Sequence, residues 1–108
     1  MKKDTLLVHR GRHPEDHHGI VNPPVYHAST VISPTLAAFE ASEKKPFEGV
    51  HYGRTGTPTA FALEDAVTAL HGGHRTIATS SGLAAISVTM LALLKSGNHA
   101  LVADHIYG

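Results

Sequence analysis

The sequence contains no cysteine. That absence removes disulfides, thiolate catalysis and cysteine-ligated zinc together, and it suits a reducing compartment. Excess charge of either sign is lacking too, since nine Lys and Arg balance nine Asp and Glu. A neutral chain with no run of Lys or Arg offers no electrostatic reason to bind nucleic acid or an anionic membrane. Long apolar runs are likewise missing. Met1-Lys2-Lys3 is followed by no apolar core of signal-peptide length, and Leu83 to Leu94, interrupted by Ser87 and Thr89, is too short to span a bilayer. That stretch is expected to be a buried helix in a cytoplasmic protein.

The 108 residues suffice for one small domain, but they divide into unlike parts. Residues 1–56 hold most of the ten histidines and an irregular scatter of Gly and Pro. Only the Ser33 to Glu40 stretch suggests a short helix there, with Ser33 as N-cap and Pro34 at the first helical position. A segment so irregular buries little by itself and is expected to lie, as an arm, across a partner subunit.

Residues 57–108 are more regular. Thr57 and Pro58 open a helix carrying Phe61, Leu63, Val67 and Leu70, and Gly72-Gly73 closes it. Arg75 to Thr79 reads as a short strand, followed by a turn at Ser80-Ser81-Gly82. A second helix starts at Leu83 and ends near Lys95-Ser96-Gly97, and His99 to Ala103 is the next strand candidate. Helix, strand, turn, buried helix and strand is the order of an α/β protein with a largely parallel sheet. Two strands do not stabilise such a sheet, so the chain is expected to be the start of a larger domain, cut short.

Three features carry candidate chemistry. The first is Thr79-Ser80-Ser81-Gly82-Leu83-Ala84-Ala85. At a helix start the unpaired N–H groups point one way, and the helix dipole adds positive charge. With Gly82 allowing close approach and two serine hydroxyls alongside, the stretch can cradle a phosphate, or it can simply cap the helix. The second is His51-Tyr52-Gly53-Arg54-Thr55-Gly56-Thr57-Pro58-Thr59. Here Arg54 can present a two-pronged donor to phosphate with the Tyr52 phenol beside it, or it can be solvated. The third is Tyr107, placed after a strand where a ring can stack on a flat ligand, or be merely half-buried.

In this order, Tyr-Gly-Arg-x-Gly-Thr-x-Thr, Ser-Gly-x-Ala-Ala and Tyr-Gly, preceded by Thr5 to Gly11 and Gly19 to Thr30, resemble the Cys/Met-metabolism family of enzymes dependent on pyridoxal 5′-phosphate (PLP). The resemblance covers essentially the whole chain, and the Tyr-Gly-Arg-x-Gly-Thr form favours the β-lyase branch over the γ-synthase and γ-lyase branches. It implies a fold-type I, aspartate-aminotransferase-like α/β enzyme, with residues 1–56 as the arm and residues 57–108 as the beginning of the PLP-binding domain. Ser81, Gly82 and Leu83 would hold the PLP phosphate, and Tyr107 would stack on its ring. Tyr52 and Arg54 would reach the cofactor of a neighbouring subunit, giving a homo-oligomer, a dimer of dimers, with shared sites. The substrate would be a small amino acid and the reaction carbon–sulfur lysis.

No catalytic residue is expected within these residues, because the lysine the family uses lies further along. Lys2, Lys3, Lys44, Lys45 and Lys95 sit in polar settings that would not depress an ammonium pKa. An inert fragment or a plain phosphate-binding module would share the same features. The histidines suggest no metal centre: His13, His17 and His18 cluster in the arm, His71 and His74 straddle a helix stop, and no carboxylate completes a set.

Overall fold

The computed structural model describes residues 2–45 and 48–105. The chain clusters into two compact units, Met1–Ile77 and Ala78–Gly108. The first contains helices α1 (Lys3–His9), α2 (Leu36–Glu43) and α3 (Pro58–His71), with 3-10 turns at Pro14–His17 and Gly53–Thr55; the second contains α4 (Gly82–Leu93).

Helix α3 follows its local signals. Thr57 is extended, Pro58 occupies the first helical position, and Gly72 ends the helix in the left-handed region at φ +66°. Packed against α3 is α1, a helix that sequence periodicity did not suggest; it is short and its N-cap, Lys2, offers no capping oxygen. The chain then turns through Gly11, whose φ is +74° and where a Cβ would stand 2.2 Å from the Ala62 carbonyl oxygen on α3. Only glycine meets both conditions.

Helix α2 begins later than the sequence suggests. Its N-cap is Thr35, not Ser33, because the Thr35 side chain accepts from the Ala38 N–H at 3.1 Å. Helix α4 likewise stops at Leu93, short of Lys95. A local turn takes over there, with the Asn98 carboxamide accepting from the Lys95 N–H at 2.7 Å and the Asn98 N–H donating to the Lys95 carbonyl at 3.0 Å.

The strands expected at residues 75–79 and 99–103 do not form. Among the described residues there is no β-strand, and the one ladder contact is an isolated antiparallel bridge between Thr30 and Tyr52. A strand exists only when paired, and neither segment has a ladder partner here. The described architecture is therefore helical, in place of the α/β sheet anticipated.

No hydrophobic side chain is buried among the described residues, and Thr57, 9 % exposed, is the sole buried residue described. The helix expected to be buried is largely exposed: in α4, Leu83 and Leu93 are each 75 % exposed. No helix among the described residues is long and apolar enough to cross a membrane.

Candidate functional site

In the first unit, Arg54 lies in the 3-10 turn Gly53–Thr55, and Tyr52 is the extended residue that precedes it. The Tyr52 carbonyl accepts from the Thr55 N–H at 2.9 Å and from the Thr55 hydroxyl at 2.8 Å, closing the turn. This folds the Arg54 guanidinium back over the Tyr52 ring, 5.7 Å from its centroid, a cation–π geometry that holds the charge near the phenol. Both side chains are exposed. Arg54 forms no ion pair among the described residues, so its donors remain available to an anion.

Two neighbouring segments fix this turn. On one side, the Gly53 N–H donates to the Ser29 carbonyl at 2.7 Å, Thr30 bridges Tyr52, and the Ser29 hydroxyl stands 3.5 Å from the Tyr52 hydroxyl. On the other, the His51 ring Nε2 faces two carbonyls, those of Lys45 at 3.2 Å and of Glu48. Because carbonyls only accept, this nitrogen carries the proton and donates. Nearby, Lys45 Nζ and Glu48 Oε2 are 2.8 Å apart. The hydrogen bond and charge of Lys45 hold the Glu48 carboxyl below its ordinary range, and Glu48 raises Lys45 in turn.

In the second unit, Ser81 is the N-cap of α4. Its Oγ accepts from the Ala84 N–H at 3.1 Å, which leaves the hydroxyl proton free to donate outward. Gly82 and Leu83 occupy the first helical positions, whose N–H groups have no carbonyl one turn earlier in the helix. The first turn of α4 contains no acidic residue, so nothing neutralises the positive end of the helix dipole. Around Gly82 an added Cβ would meet no heavy atom within 4 Å, so approach is open. Thr79 shapes the turn by donating its hydroxyl to the Ser81 carbonyl at 2.9 Å. Outward hydroxyl, successive amides and uncompensated dipole together make a donor set matched to a phosphate dianion.

Tyr107, the third expected contact, lies outside the described residues. The five lysines are all exposed, and Lys45, beside Glu48, is held in its charged form.

The sequence comparison with known proteins agrees with the motifs. A model of the Cys/Met metabolism PLP-dependent enzymes matches residues 4–108. The chain belongs to that family. A protein of Rhizobium johnstonii is 47% identical over 105 residues, covering 97% of this chain and 26% of its own length. The cystathionine β-lyase of Bacillus subtilis is 43% identical, with 97% of this chain and 25% of the relative covered. A cystathionine γ-lyase of the same organism is 40% identical, with 100% and 26% covered. The chain thus spans about a quarter of the length of these relatives. PLP is the cofactor of the family, and the donor sets at Ser81–Leu83 and at Tyr52–Arg54 fit the phosphate that PLP carries.

The histidine expectation needs one correction. His13, Glu15 and Asp16 present ligand atoms within 4.8 Å of one another, so carboxylates do stand beside a histidine of the arm. The 3-10 turn at Pro14–His17 brings them together, and His13 Nδ1 lies 3.5 Å from Glu15 Oε1. The Glu15 carboxyl is lowered, first by a backbone hydrogen bond and then by His13. All three residues are exposed.

Proposed function

We propose that this chain forms part of the cofactor site of a PLP-dependent carbon–sulfur lyase, a cystathionine β-lyase that releases homocysteine, pyruvate and ammonia. The observation that carries the reading is the start of α4, where the Ser81 hydroxyl and the Gly82 and Leu83 amides form an anion cradle within a segment matched by the family model. The whole protein is a fold-type I α/β enzyme. In it, residues 1–56 serve as the intersubunit arm and residues 57–108 belong to the PLP-binding domain.

In this reading Ser81, Gly82 and Leu83 hold the phosphate of the cofactor bound to their own subunit. Tyr52 and Arg54 reach the phosphate of a neighbouring subunit, which makes the protein a homo-oligomer, a dimer of dimers in a cytoplasmic setting. Tyr107 stacks on the cofactor ring. PLP, when bound, supplies an electron sink beside the α-carbon of a small amino-acid substrate. The residues of this chain orient that group and neutralise its phosphate, and no proton transfer is assigned to them.

The test compares products. The complete enzyme given cystathionine should yield pyruvate and homocysteine; 2-oxobutyrate and cysteine would instead assign it to the γ-lyase branch, and no turnover with bound PLP would exclude both. For the cradle itself, titration with inorganic phosphate should shift the amide signals of Gly82 and Leu83, and unmoved signals would refute it.

A further inference from the structure

We infer that Thr59 is a positioning residue for Tyr52 and Arg54, acting through the arm segment 24–30 rather than by touching either side chain. The inference rests on the anion-binding reading of Arg54 given above, and its test separates the two.

Thr59 lies in the first turn of α3, next to Pro58. Its hydroxyl works in both directions: it accepts from the Tyr26 N–H at 2.9 Å and donates to the Pro24 carbonyl at 2.8 Å. One side chain thus satisfies a backbone donor and a backbone acceptor on either side of Val25. An extended segment without a sheet has no ladder to order it, so such side-chain partners fix its backbone locally.

The segment held at Tyr26 reaches the Tyr52–Arg54 turn a few residues later. The Ala28 carbonyl oxygen would be 1.7 Å from a Cβ on Gly53, the Ser29 carbonyl accepts from the Gly53 N–H at 2.7 Å, and Thr30 bridges Tyr52. From Arg54 the chain runs through Thr55 and Gly56 back to Thr57, the one buried residue described, and so to Thr59. The circuit is closed: α3 holds the arm, the arm holds the turn, and the turn leads back into α3. This gives a physical reason for a threonine five residues after the arginine in a motif whose ligand-binding members are Tyr52 and Arg54. Removing the hydroxyl opens the circuit at the point furthest from the guanidinium.

The experiment uses the full chain and three variants, with amide hydrogen exchange and inorganic phosphate as probes. Thr59→Val keeps the volume and removes the hydroxyl, Thr59→Ser keeps the hydroxyl, and Tyr26→Pro removes the N–H from the arm side and leaves α3 untouched. Thr59→Val and Tyr26→Pro should each speed exchange at Gly53 about fivefold, the loss of roughly one hydrogen bond. They should also weaken phosphate binding read at the Arg54 side chain several-fold, leave the response of Gly82 and Leu83 unchanged, and be reversed in Thr59→Ser. Faster exchange at Tyr26 with unchanged exchange at Gly53 and unchanged phosphate affinity at Arg54 would reduce Thr59 to a local clamp and overturn the inference. If Arg54 fails to respond to phosphate in the unaltered chain, the anion reading falls. Exchange at Gly53 then decides alone: acceleration supports the positioning role and no change refutes it. Should Thr59→Val unfold α3, shown by fast exchange at Val67, Tyr26→Pro tests the same coupling from the arm.

Discussion

Replacing Gly53 with alanine isolates the contact that docks the arm on the arginine turn. The added Cβ would lie 1.7 Å from the Ala28 carbonyl oxygen and 2.4 Å from its carbon. Ordinary contact distances require a separation of at least about 3 Å, so the arm must retreat by more than an ångström. A retreat of that size breaks the 2.7 Å hydrogen bond from Gly53 to Ser29 and the adjoining Thr30–Tyr52 bridge. The lost hydrogen bond is worth about 1 kcal/mol and the crowding about 1–3 kcal/mol. Against these, alanine restricts the unfolded chain and returns about 0.4–1 kcal/mol. The net is about 2 kcal/mol, or roughly thirtyfold in the local opening constant. Amide exchange at residue 53, corrected for the intrinsic rate of the new residue, should accelerate by that factor while α4 stays unchanged. Gly72→Ala is the matching control. Its Cβ would meet nothing within 4 Å but its φ is +66°, so the cost there is conformational, about 1–2 kcal/mol, and confined to the end of α3. Unchanged or slower exchange in Gly53→Ala would refute the docking.

The remaining predictions concern the two donor sets and one ion pair. Ser81→Ala removes the cap on the Ala84 N–H at a cost of about 1 kcal/mol; Ala84 exchange should rise about fivefold, and the phosphate response of Gly82 should weaken. Arg54→Lys keeps the charge but loses the two-pronged donor, and phosphate affinity measured at that turn should fall about tenfold; an unaltered affinity would mean that charge alone suffices. Glu48 is lowered by Lys45, so its contribution is present above the ordinary carboxylate range and is lost as pH falls through the lowered value. Lys45 is raised, so its contribution persists through the ordinary ammonium range and disappears as pH rises beyond it. In Lys45→Met the titration midpoint of Glu48, followed by carboxyl NMR signals, should move upward, and molar salt should produce part of the same shift in the unaltered chain.

What could be read from sequence follows the range of the interactions. Pro58 at the first helical position and left-handed Gly72 bound α3 where expected, although Thr57 makes no side-chain cap, because such signals act within a turn, and α4 starts at Gly82, one residue before the expected Leu83, with Ser81 as its cap. Helix α1 was missed because it has no side-chain cap and its stability comes from packing on α3, which a local pattern does not record. The two strand candidates failed because pairing is a property of two segments. At the site, Tyr52 and Arg54 stood out as residue types in a glycine-rich motif, whereas Ser29 and Thr59 did not. Their roles arise from contacts such as Thr59 with Pro24 and Tyr26, 35 and 33 residues apart. Ligand-facing residues announce their chemistry; the residues that hold them do so only after folding.

Helix α4 shows the same separation within one element. Its first turn supplies the donors of the anion cradle, and its body, from Leu83 to Leu93, is apolar apart from Ser87 and Thr89. The local contribution is modest, since the Ser81 cap is worth about 1 kcal/mol. Leu83, Leu91 and Leu93 are 75–81 % exposed, and covering each would stabilise the helix by roughly 1–2 kcal/mol. Three leucines therefore outweigh the cap several times over. A helix apolar on every face is built to be surrounded, so the position of the Ser81–Leu83 donors is governed by what packs against the helix body, and their chemistry by the first turn. Substitutions in the body, such as Leu91→Ser, should accordingly leave the Ser81 cap intact in this chain while lowering PLP retention in the complete enzyme.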